Sequence, residues 1–247
     1  MTERETKKKN IPLSIFFPVY NDWGTIASMV AESIFTAEKI TDDYEIILVD
    51  DGSEEKTQDV LDFLEQQFPR VRVIHHEKNK GYGGALKTGF KEAQKEYIFY
   101  TDGDAQYDVR EMELLVQALD DDVDVVNGYK IKRNDPFYRV ILGKIYQYTA
   151  KILFDLPIKD VDCDFRLMRK KVFDDITLDS NSGTICVEMI RKVAQKGYRF
   201  AEVPVSHYFR ASGKSEFFNF KRLFRVARDF TMLWLRLVVF KKEGRHA

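Results

Sequence analysis

The alternation of short apolar runs with segments of helical period constrains this chain most. Residues 13–17 (Leu-Ser-Ile-Phe-Phe) form an apolar run closed by Pro18. Further runs occupy residues 44–49, 71–74, 97–100 and 123–126. Between them lie helical patterns. Residues 24–38 carry Ile26, Met29, Val30, Ile34 and Phe35, and the next segment carries Val60, Leu61, Leu64 and Phe68. Shorter helices are expected over residues 85–93 and 112–119. Strands that alternate with helices imply an α/β fold with a doubly wound, mostly parallel, Rossmann-related sheet. Such sheets bind ligands outside the carboxyl ends of their strands. Ser53 is placed to cap the second helix, with Glu54 and Glu55 suited to its first turn.

Beyond Asp135 the pattern changes. A long helix is expected over residues 137–154, stopped near Pro157, and another over 186–195, closed by Gly197. A strand follows at 201–205 and a terminal helix at 218–240. No internal repeat or flexible linker interrupts the 247 residues. The reading is a polar tail (1–10), a main domain (11–215) and a basic amphipathic helix and tail (216–247). Hydrophobic residues make up 44% of the chain, which excludes fibrous and wholly disordered classes. Two cysteines, Cys163 and Cys186, exclude a disulfide scaffold and suit a reducing compartment, the cytoplasm. The polar start argues against a signal peptide.

Three polar motifs follow strand ends. Asp50-Asp51-Gly52-Ser53 sets two repelling carboxylates on a tight turn. Asp102-Gly103-Asp104-Ala105-Gln106 offers alternate carboxylates and an amide oxygen, a donor set for one hard cation, Mg²⁺ or Mn²⁺. Each motif by itself also reads as a solvated turn. Asn79-Lys80-Gly81-Tyr82-Gly83-Gly84-Ala85 lets backbone approach a ligand at a helix start. It lacks the Gly-Lys-Ser/Thr of a P-loop and follows the third strand, so it does not fit the dinucleotide fingerprint.

Together with Pro18-Val19-Tyr20-Asn21, Gly128-Tyr129-Lys130, residues 160–166 and residues 210–215, these motifs occur in an order that resembles the family 2 inverting glycosyltransferases. The type is the dolichyl/polyprenyl-phosphate sugar transferase, and the likeness covers residues 11–215. The resemblance implies a GT-A-like fold, a nucleotide-diphosphate-sugar donor (GDP-mannose or a UDP-sugar), a lipid-phosphate acceptor and a divalent metal. It implies that Pro18, Tyr20 and Asp51 line the base pocket. Asp102 faces the ribose or metal, and Asp104 and Gln106 hold the metal at the diphosphate. Lys130 stands where the family usually has Arg, near the donor phosphates. Arg139 and Arg210 fall where arginines grip the lipid phosphate, with Lys214 close by. Asp22 stands in place of the family's Glu, in the base or sugar region. Gly143, Asp164 and Glu216 also depart from the family's Ser, Gly and Lys. If the acceptor were a hydroxyl of a glycan or other soluble molecule, a base would be needed. Asp160 is the first candidate for that base and Glu188 a weaker one. Asp160 equally suits an ion pair with Arg166 or Arg210. A non-catalytic nucleotide-sugar binder is the alternative from another class.

The net charge of −1 excludes a uniformly basic nucleic-acid binder, but it is unevenly spread. Residues 211–247 hold nine Lys and Arg against three Asp and Glu, so this tail carries +6 and the rest −7. Phe220, Leu223, Phe224, Ala227, Phe230, Trp234 and Leu237 recur at helical steps, with Lys221, Arg222, Arg225 and Arg228 largely between them. Such a helix either packs on the domain or lies on an anionic membrane surface as a peripheral anchor. Its apolar stretch is too short to span a bilayer. The other helices' Met and aromatic residues read as core. His75 and His76, adjacent on a strand, point to opposite faces and do not suit one shared metal. Cys163 is given no catalytic role.

Overall fold

The computed structural model describes residues 9–131, 137–209 and 220–240. Among these, the strands are β1 (Leu13–Val19), β2 (Tyr44–Asp50), β3 (Val71–His75), β4 (Tyr97–Thr101), β5 (Val125–Lys130), β6 (Phe165–Arg169) and β7 (Phe200–Val205). They form one seven-stranded sheet in the order β3-β2-β1-β4-β6-β5-β7. All neighbours are parallel except β6, which runs antiparallel to both β4 and β5. The helices are α1 (Ile26–Ile40), α2 (Glu55–Gln67), α3 (Tyr82–Glu92), α4 (Met112–Gln117), α5 (Phe137–Phe154), α6 (Ile185–Gln195) and α7 (Phe220–Trp234). The expected mostly parallel α/β sheet is present.

Every residue of β1 is buried, as a central parallel strand covered on both faces requires. Its side chains alternate between two cores. Leu13, Ile15 and Phe17 pack with α1, α2 and α4, whereas Phe16 packs with α3, α5, α6 and α7.

Two local expectations are corrected. Ser53 does not cap α2: Glu54 holds the cap position without a side-chain hydrogen bond, and Ser53 Oγ instead accepts from Asn21 N at 3.1 Å. The fifth strand begins at Val125 rather than 123 and runs on through polar Asn127 to Lys130.

Strand β6 was not expected. Its insertion matters for function. An antiparallel strand between β4 and β5 has its amino end where theirs have carboxyl ends, so Thr101 pairs with Phe165 and Asn127 with Arg166. Residues 160–164 therefore join the edge where the motifs sit. Arg166 is fully buried and holds this corner. It donates to Asn127 Oδ1, Tyr100 Oη and the Val161 carbonyl, and to Asp164 Oδ1 at 2.9 Å.

The terminal helix packs on the domain. Phe230, Leu233 and Leu237 are buried, and Phe230 meets Phe154 edge-on at 5.2 Å. Trp234 Nε1 donates to the Leu153 carbonyl at 3.2 Å. Arg236 pairs with Asp179 at 3.0 Å and Glu188 at 2.8 Å. Each buried apolar side chain contributes about 2 kcal/mol. The membrane expectation thus loses α7's buried apolar face. An apolar stripe faces solvent on α5 instead: Ile145, Tyr148 and Ile152 are 58%, 67% and 76% exposed, beside exposed Ile141 and Leu142. That corrects the core reading of the helices' aromatic residues for Tyr148. Among the described residues no helix is long and apolar enough to cross a membrane.

Candidate active site

The loops at the carboxyl ends of β1, β2, β4 and β5 meet the loop that enters β6. At the end of β1, Pro18 is paired with Val49, and half-exposed Tyr20 follows the strand. Asn21 takes a positive φ of 61°, which Asn tolerates better than other side chains. Buried Asp22 accepts from Tyr20 N at 3.3 Å. Thr25 Oγ1 donates to the Gly103 carbonyl at 2.7 Å and ties this loop to the Asp102–Gln106 turn.

The two acidic turns are built differently. Asp50 is fully buried and neutralised by donors: Ser53 N at 2.9 Å, His75 Nδ1 at 2.8 Å and Gln58 Nε2 at 3.3 Å. Asp51 Oδ1 accepts from His76 Nδ1 and Lys80 N, both at 2.8 Å. Asp102 accepts from Tyr82 Oη at 2.8 Å. Burial, then the charges of Asp164 and Asp104, hold its carboxyl well above the usual carboxylate range. Asp104 Oδ1 accepts from Gln106 N at 3.1 Å, closing the turn over Ala105, whose φ is 58°. A non-glycine residue in that region costs about 1–2 kcal/mol, strain that fixes the two carboxylates on one short turn.

Gln106 is held from β7's end. Its Nε2 donates to the Tyr208 carbonyl at 3.2 Å and lies 3.4 Å from His207 Nε2. Its Oε1 is then the amide atom available to a cation. The donor set of Asp102, Asp104 and Gln106 fits a divalent metal: hard oxygens beside carboxylates that repel one another. Among the described residues, no three His, Cys, Asp or Glu side chains converge to hold an ion. A site with so few protein ligands leaves coordination positions for substrate phosphates.

Lys130 Nζ is turned inward, to Asp160 at 3.2 Å, the Asp162 carbonyl at 2.7 Å and Tyr107 Oη at 3.1 Å. Asp160 also accepts from Lys130 N at 3.3 Å. Of the two arginines expected to pair with Asp160, Arg166 is committed to Asp164 and Arg210 lies outside the described residues; among the described residues Lys130 pairs with Asp160. Glu188 is fully buried against Lys192 and Arg236 and accepts from Ser180 N at 2.8 Å. Burial would raise its pKa, but Lys192 and Ser180 lower it overall. Its partners make it a brace for the 179–180 loop, away from a base's role.

The glycine-rich turn also serves another purpose than expected. A Cβ on Gly81 would meet the Asn181 carbonyl oxygen at 2.5 Å, and one on Gly83 the Ser180 oxygen at 2.4 Å. Gly83 N donates to the Asn181 carbonyl at 3.0 Å. These glycines admit the 180–181 backbone to the start of α3, which places Tyr82 against Asp102. Burial pushes the Cys163 thiol up to about 12, consistent with an inert side chain. Arg139 lies on α5 with its side chain outside the described residues, as are Arg210 and Lys214.

Sequence reasoning missed three contributors: Asp164, Tyr82 and the His75–His76 pair. For the histidines a signal was present, since adjacent Asp and adjacent His end neighbouring parallel strands.

Residues 14–177 match the family described as glycosyl transferase family 2. The chain belongs to glycosyl transferase family 2. It is 29% identical to the dolichol-phosphate mannosyltransferase of Pyrococcus furiosus, over 83% of this chain and 58% of that protein. It is 26% identical to the undecaprenyl-phosphate 4-deoxy-4-formamido-L-arabinose transferase of Enterobacter sp., over 88% of this chain and 65% of the relative. Glycosyltransferase AglD of Haloferax volcanii is also 26% identical, over 79% of this chain and 33% of its own length. The chain thus spans between a third and just under two thirds of these curated relatives. Among solved structures, a Pyrobaculum calidifontis mannosyltransferase in complex with GDP-mannose and Mn²⁺ superposes with a TM-score of 0.67 at 18% identity, covering 98% of this chain and 67% of its own. Glucosyl-3-phosphoglycerate synthase of Mycobacterium tuberculosis, with Mn²⁺, UDP and phosphoglyceric acid, gives 0.68 at 14% identity, covering 96% and 86%. Both share the fold.

Proposed function

We propose that this family 2 chain is an inverting hexosyltransferase. It would move a sugar from a nucleotide-diphosphate donor to a polyprenyl or dolichyl phosphate, with Mg²⁺ or Mn²⁺. The observation that carries this reading is the Asp102–Gln106 turn at the carboxyl end of β4, which sets Asp102 and Asp104 on one strained turn tied to the β1 loop through Thr25. Pro18, Tyr20 and Asp51 would receive the base, with Asp22 close by. Asp102, Asp104 and Gln106 would hold the metal, which neutralises charge building on the leaving diphosphate. The acceptor oxygen forms the bond to the anomeric carbon from the side opposite the leaving group. The carbon–oxygen bond to the diphosphate breaks, and the nucleoside diphosphate departs with that electron pair.

The acceptor class follows from the base. Asp160 is buried and tied to the backbone and side chain of Lys130. A phosphate acceptor is already ionised and needs no base. Arg139, Arg210 and Lys214 would supply its cationic grip. The exposed stripe of α5 supports an approach to lipid, since its charged residues, Arg139, Lys144 and Lys151, are all basic. The relatives named for lipid-phosphate transfer point the same way.

The test is a screen of radiolabelled nucleotide sugars with Mn²⁺ and either polyprenyl phosphate or the corresponding polyprenol. A lipid-linked product with the phosphate alone is expected. Product only with the polyprenol or a soluble glycan would overturn the acceptor assignment, and no product with any donor would overturn the activity.

A further inference from the structure

The His75–His76 pair is a motif that the proposed chemistry leaves without a job. It ends β3 beside the Asp50–Asp51 pair that ends β2, with Asp50 in register with His75. The adjacent histidines point opposite ways, so each takes one of the adjacent aspartates.

The two pairs differ in what they leave over. Asp50 uses both oxygens within the protein: Oδ1 on Ser53 N, Oδ2 on His75 and Gln58. Asp51 receives His76 Nδ1 and Lys80 N on the same oxygen, Oδ1. Among the described residues no hydrogen-bond donor reaches its Oδ2. His76 and Asp51 are almost sealed from solvent, with side chains 2% and 5% exposed. The imidazole is itself held from behind: Nε2 lies 2.9 Å from Thr88 Oγ1, which donates to the Gly84 carbonyl at 3.1 Å. A carboxylate with one oxygen fixed and the other open is a directed acceptor for a ligand N–H.

We infer that His76 is a positioning residue for donor recognition: it clamps Asp51 Oδ1 so that Oδ2 is presented to an N–H group on the edge of the nucleobase. This rests on the reading that Asp51 lines the base pocket. His75 does the corresponding work on Asp50 and serves only the turn.

The experiment is calorimetric titration of GDP and UDP, with Mn²⁺, into the full chain and its variants, with thermal melts alongside. Asp51→Ala tests the underlying reading, and His76→Leu tests the inference. His76→Leu removes a hydrogen bond to a charged group and is expected to weaken nucleotide binding about tenfold. His76→Asn, whose amide nitrogen reproduces the Nδ1 donor, is expected to restore affinity to within about threefold. His76→Gln, with its nitrogen displaced, is expected to stay weak. In turnover assays the loss falls on donor KM with kcat nearly unchanged. His75→Leu is expected to bind the nucleotide as the parent does while melting lower. Wild-type affinity in His76→Leu overturns the inference; so do equal affinities of the Asn and Gln variants, which still decide if the Leu variant fails to fold. Wild-type affinity in Asp51→Ala instead overturns the base-pocket reading on its own.

Discussion

The two acidic turns at the sheet edge start from the same chemistry and end differently. Asp50 and Asp51 are each neutralised from within, by a histidine and backbone amides. Asp102 has one tyrosine hydroxyl, and burial together with the charges of Asp164, Asp104 and Asp22 opposes its ionisation. A carboxylate that the fold itself satisfies serves architecture or a directed hydrogen bond. One that the fold leaves opposed needs a cation from outside.

That contrast can be broken in descending order of effect. Asp104→Asn is expected to lower kcat by about a thousandfold while leaving the melting temperature within a few degrees, because its charge serves a metal-assisted step. Asp50→Ala is expected to do the reverse, costing about 3 kcal/mol by denaturant unfolding, because it leaves the buried Ser53 N without its acceptor and takes the shared carboxylate from His75 and Gln58. Equal effects of the two on stability would erase the distinction. The third test uses pH. The folded protein holds the Asp102 proton to a higher pH than the unfolded chain does. Without metal, stability therefore falls as pH rises from the ordinary carboxylate value, about 4, through the raised folded value. Mn²⁺ competes with that proton, so its thermal stabilisation should grow with pH and vanish in Asp102→Asn. The smallest effect belongs to His75. Burial lowers its pKa, yet the hydrogen bonds of Asp50 and Asp62 raise it overall. Its contribution is then full below about pH 6.5 and lost as pH rises through the folded value. Because the ring is partly exposed, His75→Gln should flatten that slope by only about 1 °C in melting temperature.

The same logic separates the two apolar helices. α7 spends its stripe on Phe154 and Leu153, and α5 leaves Ile145, Tyr148 and Ile152 in solvent. Replacing those three by Ser should cut binding to anionic vesicles about tenfold or more without loss of fold. Phe230→Ser should instead destabilise the protein by about 3 kcal/mol or more.

The sequence makes much of this legible, and the exceptions have physical causes. β1, β2 and β4 are buried runs that can be little else, β3 is an edge strand with only Val71 buried, and the motif positions follow from strand ends. β6 escapes because Arg166 and Arg169 break the apolar signal, and only tertiary partners explain a buried arginine. The helical period of α5 and α7 shows an apolar face but not what covers it. The glycines at 81 and 83 look like a ligand cradle until the 180–181 backbone is seen against them.

Calorimetric titration of Mn²⁺ in the presence of a nucleoside diphosphate tests the central claim most directly. Wild-type protein should bind the ion with a clear heat signal, Asp50→Asn should bind it comparably, and Asp104→Asn should lose it. Equal binding by the wild type and Asp104→Asn would contradict the account.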